Sequence, residues 1–171
     1  MAINTFKRKE IKFILDENQY NSLNSVLSEY MNPDAFCVDG KEYGIYNIYY
    51  DTPDNFLIRE SLEITYYKEK IHLRSYILPA KEDDNVYLEI KKKIGGVVTK
   101  RRISLTLAQA NAFIFDGELP DFSKDKKSYI QTQVLNELVA FLRSYSVTPR
   151  QYISYQRSAY FSKDDNSFRL T

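Results

Sequence analysis

Residues 86–105, VYLEIKKKIGGVVTKRRISL, set Lys91, Lys92, Lys93, Lys100, Arg101 and Arg102 around the pair Gly95-Gly96. Glycine accepts the positive φ of a primed hairpin turn, so the pair predicts two antiparallel strands carrying these cations side by side. The chemistry open to such a cluster is the holding of anions. Lysine supplies a mobile point charge, and arginine supplies a fork that matches two phosphate oxygens. A second stretch, YYKEKIHLRSYIL, alternates so that Lys68, Lys70, His72, Arg74 and Tyr76 share one face while Ile71, Leu73 and Ile77 share the other. The pattern Glu-x-Lys recurs as Glu10-Ile11-Lys12 and Glu89-Ile90-Lys91, its middle residue pointing to the apolar side. A carboxylate in that setting pairs with a lysine or helps to hold a divalent cation bridging phosphates.

The elements that must position these residues are set by periodicity. Residues 6–15 alternate, with Ile11, Phe13 and Leu15 opposite Arg8, Glu10 and Lys12, and predict a first strand. Asp16 with Gln19 forms a capping box for a helix whose stripe is Tyr20, Leu23, Leu27 and Tyr30. YGIYNIYYDTPD predicts a strand closed by a turn over 51–54, and NFLIRESL a short helical turn. In the cationic hairpin Val86, Leu88 and Ile90 oppose Tyr87, Glu89, Lys91 and Lys93. The return strand sets Val97, Ile103 and Leu105 against Val98, Lys100 and Arg102, with Arg101 breaking the pattern. Thr106 and Gln109 box a short helix ending at Asp116-Gly117. Residues 128–145 give the longest helix, with Ile130, Val134, Leu138, Phe141, Leu142 and Tyr145 inward. QYISYQRSAYF and SFRLT predict two last strands around a polar turn over 164–167.

The totals bound the reading. The 171 residues, 20.1 kDa, allow one domain with a real core. Lys plus Arg number 24 and Asp plus Glu 23, so a net charge of +1 gives no bulk attraction to nucleic acid, DNA included, or to membrane, and any positive field must come from arrangement. A single cysteine, Cys37, excludes an intramolecular disulfide. The N-terminal stretch lacks a signal-type apolar region and no run is long enough for a membrane span, so a cytoplasmic protein or the soluble face of a membrane assembly is expected. Fifteen Tyr, ten Phe and no Trp favour strand-rich structure. The fold class expected is α+β, an antiparallel β tunnel barrel, complete or incomplete, with helices packed outside. Curled that way, the sheet turns its cationic faces inward. Like charges ~6 Å apart cost ~3 kcal/mol per pair at an effective dielectric of about 20, so such a lumen needs a polyanion.

FKRKEIKF, NIYYDTPD, YKEKIHLRSY, YLEIKKKIGGVVTKRR and ISYQRSAYF together resemble the vacuolar transporter chaperone (VTC) domain, the polyphosphate polymerase family. That family belongs to the triphosphate tunnel metalloenzyme superfamily, with CYTH-type triphosphatases and class IV adenylate cyclases. The resemblance implies a basic tunnel that binds ATP and polyphosphate and moves the γ-phosphoryl group onto the polyphosphate chain, with Mn²⁺ or Mg²⁺. By motif it places Lys12, Arg74, Lys91, Lys100, Arg157 and Arg169 on the tunnel wall as phosphate clamps. Lys70, His72 and Arg102 stand beside them as candidate nucleotide contacts, and Glu10 and Glu89 as candidate metal ligands. A membrane protein is the implied macromolecular partner. Tyr50 and Asp51 are expected to shape a strand end and turn.

The sequence departs from the family pattern in three places. His72 stands where an arginine is common. Arg8 takes the place of the first glutamate of Glu-x-Glu-x-Lys, which argues against a simple triphosphatase. The family continues beyond Arg169-Leu170-Thr171 with strands that bring a metal-binding glutamate and further lysines. Residues 1–171 are therefore expected to be a single domain without those strands, shortened or completed by another chain. The alternatives are a non-catalytic polyanion-binding module and a single-stranded RNA binder, the latter because Tyr76 and Tyr87 share the cationic face.

Overall fold

A computed structural model describes residues 11–37, 41–63, 66–123, 128–165 and 167–171. In chain order the elements are α1 (Glu17–Tyr30), β1 (Met31–Pro33), β2 (Tyr43–Asp51), α2 (Phe56–Leu62) and β3 (Tyr67–Ser75). There follow β4 (Asn85–Ile94), β5 (Val97–Thr106), α3 (Leu107–Asn111) with a π-helical turn (Ala112–Asp116), and α4 (Ser128–Ser144). The chain then forms β6 (Thr148–Arg157), β7 (Tyr160–Ser162) and β8 (Arg169–Leu170). This is an α+β protein with antiparallel pairing throughout the registers described. Among the described residues the strands form two open sheets, in orders β5-β4-β3-β2-β6 and β1-β7-β8, and no closed barrel. The expected α+β class with antiparallel strands is found, and of the complete and incomplete barrels expected it is the open form that appears, since among those residues β5 and β6 each keep an unpaired edge.

The chain divides into two compact units. The larger, Gly44–Tyr155, is built on the hairpin of β4 and β5. Gly95 and Gly96 have φ of 53° and 86°, the two positive values a primed two-residue turn requires. One sheet face carries Ile71, Leu73, Val86, Leu88, Ile90, Ile103 and Leu105, all buried. It packs with Ala110 and Phe113, and with Val134, Leu135, Leu138 and Phe141 of α4. Leu142 and Tyr145 lie partly buried against this core, whereas Ile130, one turn too early, is exposed. Arg101 does fall on the apolar face by register, opposite Ile90. It lies where that face meets the helix flank, and its guanidinium reaches Glu137 of α4 at 2.6 Å. Thr106 and Gln109 make the expected capping box, and Gly117 ends the π-helical turn at φ 74°.

The smaller unit comprises residues 1–43 and 156–171. The strand expected over 6–15 is not found where it can be seen: residues 11–15 are exposed and unpaired, and residues 6–10 lie outside the described residues. Asp16 and Gln19 cap α1 reciprocally, as expected. Only the lower part of its stripe is covered, with Leu27 buried and Tyr20 and Tyr30 exposed. The stretch 151–161 is two strands rather than one. Ser158 and Ala159 leave the ladder between β6 and β7, because the Ala159 carbonyl accepts from Asp34 N at 2.7 Å and its amide donates to Cys37 Sγ. Cys37 is a buried free thiol, consistent with a packing role.

Asp51 closes β2 and organises the turn that leads into α2. Its Oδ1 accepts from the amides of Thr52 and Leu57 and its Oδ2 from that of Ile58, at 2.7, 2.9 and 2.9 Å. Thr52 Oγ1 takes the Phe56 amide, so the first turn of α2 is capped from the turn before it. Asn55, immediately ahead of the helix, is held left-handed at φ 59°. Asp51→Ala strands three amides and should lower unfolding stability by about 1–3 kcal/mol in urea titration. Stability equal to wild type would show that α2 does not depend on this carboxylate.

Candidate functional site

The face of the large sheet away from α4 carries the cations, and strand register arranges them in rows. Lys70, Lys91 and Lys100 stand opposite one another across β3, β4 and β5. The next row is Tyr49, His72, Glu89 and Arg102, and the third Asn47, Arg74, Tyr87 and Ser104. Cross-strand neighbours on one face have Cβ atoms about 5 Å apart, so the lysine row juxtaposes like charges directly.

Glu89 is the hub. Its carboxylate is 0% exposed. Oε2 meets His72 Nε2 at 2.7 Å and Lys100 Nζ at 2.7 Å, with Arg74 at 3.5 Å. Arg102 stands 3.7 Å from Oε1. Arg74 is itself anchored: its Nε donates to Asn47 Oδ1 at 2.9 Å, and Asn47 Nδ2 donates to the Ile153 carbonyl of β6 at 3.2 Å. Tyr49 stacks on the His72 ring at 4.8 Å, and the Arg102 guanidinium lies over the Tyr87 ring at 4.5 Å. These contacts fix a floor of positive charge. Lys91 and Lys93 project from β4 into solvent beside it.

The expected site residues divide between the two units. Arg74, Lys91, Lys100, Lys70, His72, Arg102 and Glu89 come together on this face. Lys12 is exposed in the unpaired segment before α1, and Arg169 is exposed in β8. Arg157 ends β6 half-buried, its Nε buried without a hydrogen-bond partner among the described residues. These three belong to the smaller unit. Glu10 and Arg8 lie outside the described residues. Lys68 leaves the row pattern for a structural task, donating to the Ser61 and Glu63 carbonyls at the end of α2. His72 serves Glu89 rather than opening toward solvent. Asn47 and Tyr49 were not anticipated. The signal available was their place on the cationic face of β2, masked by the aromatic run YNIYY.

The expected metal role does not suit Glu89. Its neighbours are cations, and a divalent ion there would add positive charge to a carboxylate already committed. Among the described residues no three or more His, Cys, Asp or Glu gather as a metal site.

The electrostatics reflect this geometry. Burial pushes the Glu89 carboxyl up, but hydrogen bonds from His72 and Lys100 and the charges of Lys100 and Arg74 outweigh it, leaving a pKa of about 2. Burial depresses Lys100, partly offset by Glu89, and burial together with Lys91 and Lys68 depresses Lys70. Because the folded Glu89 value lies below the ordinary 4.5, its stabilisation is fully present above pH 4.5 and is lost as pH falls toward about 2. Unfolding free energies of wild type and Glu89→Gln from urea titration should differ by about 3 kcal/mol at neutral pH, and the gap should close across that window. A gap independent of pH would refute the ion-pair account.

No curated protein matches the chain. By structure it is similar to a Bacillus halodurans protein provisionally described as an adenylate cyclase, at 12% identity and a TM-score of 0.46. The similarity covers 83% of this chain, which spans 66% of the length of that protein. The family model of the VTC domain matches residues 7–171, and the chain therefore belongs to the VTC domain family.

Proposed function

We infer that the cationic face binds the phosphates of a nucleoside triphosphate and of polyphosphate, and that the chain transfers the γ-phosphoryl group of ATP to a polyphosphate end. The observation that carries this reading is the charge imbalance of the three rows. Lys70, Arg74, Lys91, Lys100 and Arg102 converge, and Glu89 is the acidic residue in the registers that join them. Even with Asp51 acting on Lys70 from the end of β2, where it already accepts from the amides leading into α2, Glu89 cannot neutralise five cations. Burial first, and the neighbouring cations second, depress Lys70 and Lys100, and a phosphate placed over them would favour their charged forms.

Phosphoryl transfer asks the protein for position and charge neutralisation more than for covalent chemistry. Arg74 and Arg102, held by Asn47, Glu89 and Tyr87, provide fixed forks. Lys91 and Lys100 provide movable charge that can follow the transferring group. Mn²⁺ or Mg²⁺ enters as the counter-ion that ATP carries, part of the substrate, and Glu89 is assigned no share in holding it. The RNA reading loses support at Tyr87, whose ring is covered by Arg102 and edged by Tyr76 at 5.7 Å and so offers no open platform for a base.

Calorimetric titration with tripolyphosphate should show binding that weakens with ionic strength. Lys91→Ala, exposed and so harmless to folding, should weaken it about 10-fold or more. With ATP and Mn²⁺, wild type should release ADP and form polyphosphate, and Lys91→Ala should not. Binding without turnover would reduce the reading to a polyanion-binding module. Failure to bind tripolyphosphate, or oligo-RNA binding that tripolyphosphate cannot displace, would overturn it.

A further inference from the structure

The tip of the β4–β5 hairpin is apolar where a solvent-exposed turn is ordinarily polar. Ile94 is 43% exposed, Val97 63% and Val98 50%, and Tyr66 and Tyr67 beside them are 75% and 41% exposed. Register explains how these side chains assemble. Ile94 stands opposite both Tyr67 and Val97, while Val98 stands opposite Lys93 on the other face. Consecutive strand residues point to opposite faces, so Val97 and Val98 give both sides of the hairpin end an apolar surface. Tyr66 is tied to the turn, its carbonyl accepting from Gly95 N at 2.9 Å, and its ring would meet a Cβ at Gly95 at 3.0 Å. From Val97 through Arg102 every residue of β5 is exposed, so this end of the hairpin stands clear of the core.

Directly behind the tip the charge is one-sided on the face away from α4, whereas on the other face Lys92 and Arg101 meet Glu69 and Glu137. Residues 91–102 contain six cations and no acidic residue. Lys91 and Lys93 are exposed, and Lys93 neighbours Val98 across the ladder. We propose that this hairpin tip is a membrane-contact element, its apolar end entering the interface of an anionic lipid bilayer while the lysines behind it meet the lipid headgroups. The dimensions agree. Two or three strand residues at ~3.3 Å each reach about 7–10 Å, the depth at which interfacial apolar groups sit. Basic residues next to such a surface each add about 1 kcal/mol of attraction to anionic lipid. The same collar disfavours a second copy as the occupant, since two tips meeting would bring their lysines together. The apolar tip is distinct from the phosphate-binding rows, Lys93 beside Val98 is the cation nearest to it, and the contact does not require turnover. Among the described residues no helix is long and apolar enough to cross a membrane, so contact of this kind would be peripheral.

The chain lacks tryptophan, so V97W places a single indole reporter at the tip. Its emission should shift to the blue on addition of mixed phosphatidylcholine–phosphatidylserine vesicles, and the shift should fade with added salt. In co-sedimentation with the same vesicles, the full chain should bind, and the double variant V97D/V98D should bind at least about tenfold less. Lys93→Glu should weaken binding to mixed vesicles and leave any residual binding to pure phosphatidylcholine unchanged. Far-UV circular dichroism of all the variants, and tripolyphosphate titration of V97W and V97D/V98D, establish that fold and cationic face persist. The proposal is overturned if V97W emission is unmoved by mixed vesicles, or if V97D/V98D sediments like wild type. It is equally overturned if light scattering shows a wild-type dimer that V97D/V98D abolishes.

Discussion

A carboxylate fully withdrawn from water and ringed by positive groups is the constraint around which the large sheet is organised. Isolated in a protein interior, Glu89 would be costly to ionise. Bonded by His72 and Lys100 and faced by Arg74 and Arg102, it is instead held charged. Every one of those partners comes from a different register position on β3 or β5. Correct pairing of the three strands is therefore a condition of neutralising the charge. A slip of one residue would send Glu89 to the apolar face and its partners to the opposite side. The ion-pair centre and the hydrophobic face thus specify the same register from the two sides of one sheet.

The apolar face supplies the stability that this arrangement draws on. Ile71, Leu73, Leu88, Ile90 and Ile103 form a buried aliphatic layer that packs with α4. At the margin of that layer Lys92 and Arg101 are matched with Glu137, at 3.3 and 2.6 Å, so cations that fall on the apolar side are neutralised by the helix. On the opposite face, among the described residues of the larger unit, the ion pairs of the cations there run to Glu89, and the imbalance remains. That contrast separates structural cations from those available to a ligand, and sequence position alone does not make it.

Periodicity revealed most of the scaffold because the informative residues obey local rules. The Gly95-Gly96 turn, the capping boxes at Asp16 and Thr106, and the alternation of β3, β4 and β5 are all set by near neighbours. The rows of the site arise from the same alternation, which brings Lys70, Lys91 and Lys100 together without knowledge of the fold. The features that escaped the sequence depend on partners far along the chain. The break between β6 and β7 arises from bonds of Ala159 to Asp34 and Cys37, residues more than a hundred positions earlier. The alternation through 151–161 carries no trace of it. Asn47 acquires its role only because Ile153 and Arg74 flank it across neighbouring strands. His72, placed by pattern among ligand contacts, is drawn instead to Glu89 by the pairing of their strands.

The two kinds of cation on this face differ in freedom, and that difference bears on the class of guest. Arg74 is fixed at both ends, by Asn47 behind and Glu89 in front. Arg102 lies flat on Tyr87, where the ring restrains its plane. Such groups define points, and a ligand oxygen either meets them or does not. Lys91 and Lys93 lie two residues apart on β4, each on four rotatable bonds. They define a region of positive charge rather than a point. A compact ligand, such as a single phosphate, would satisfy the fixed forks and leave the lysine rim unneutralised. A chain of phosphates can do both, anchoring one group at the forks while successive groups run past the rim at whatever spacing they adopt. If phosphates bind as proposed, the order of the rows, from Arg74 through Glu89 and Arg102 to the lysines at the hairpin end, favours an extended polyanion over a small one.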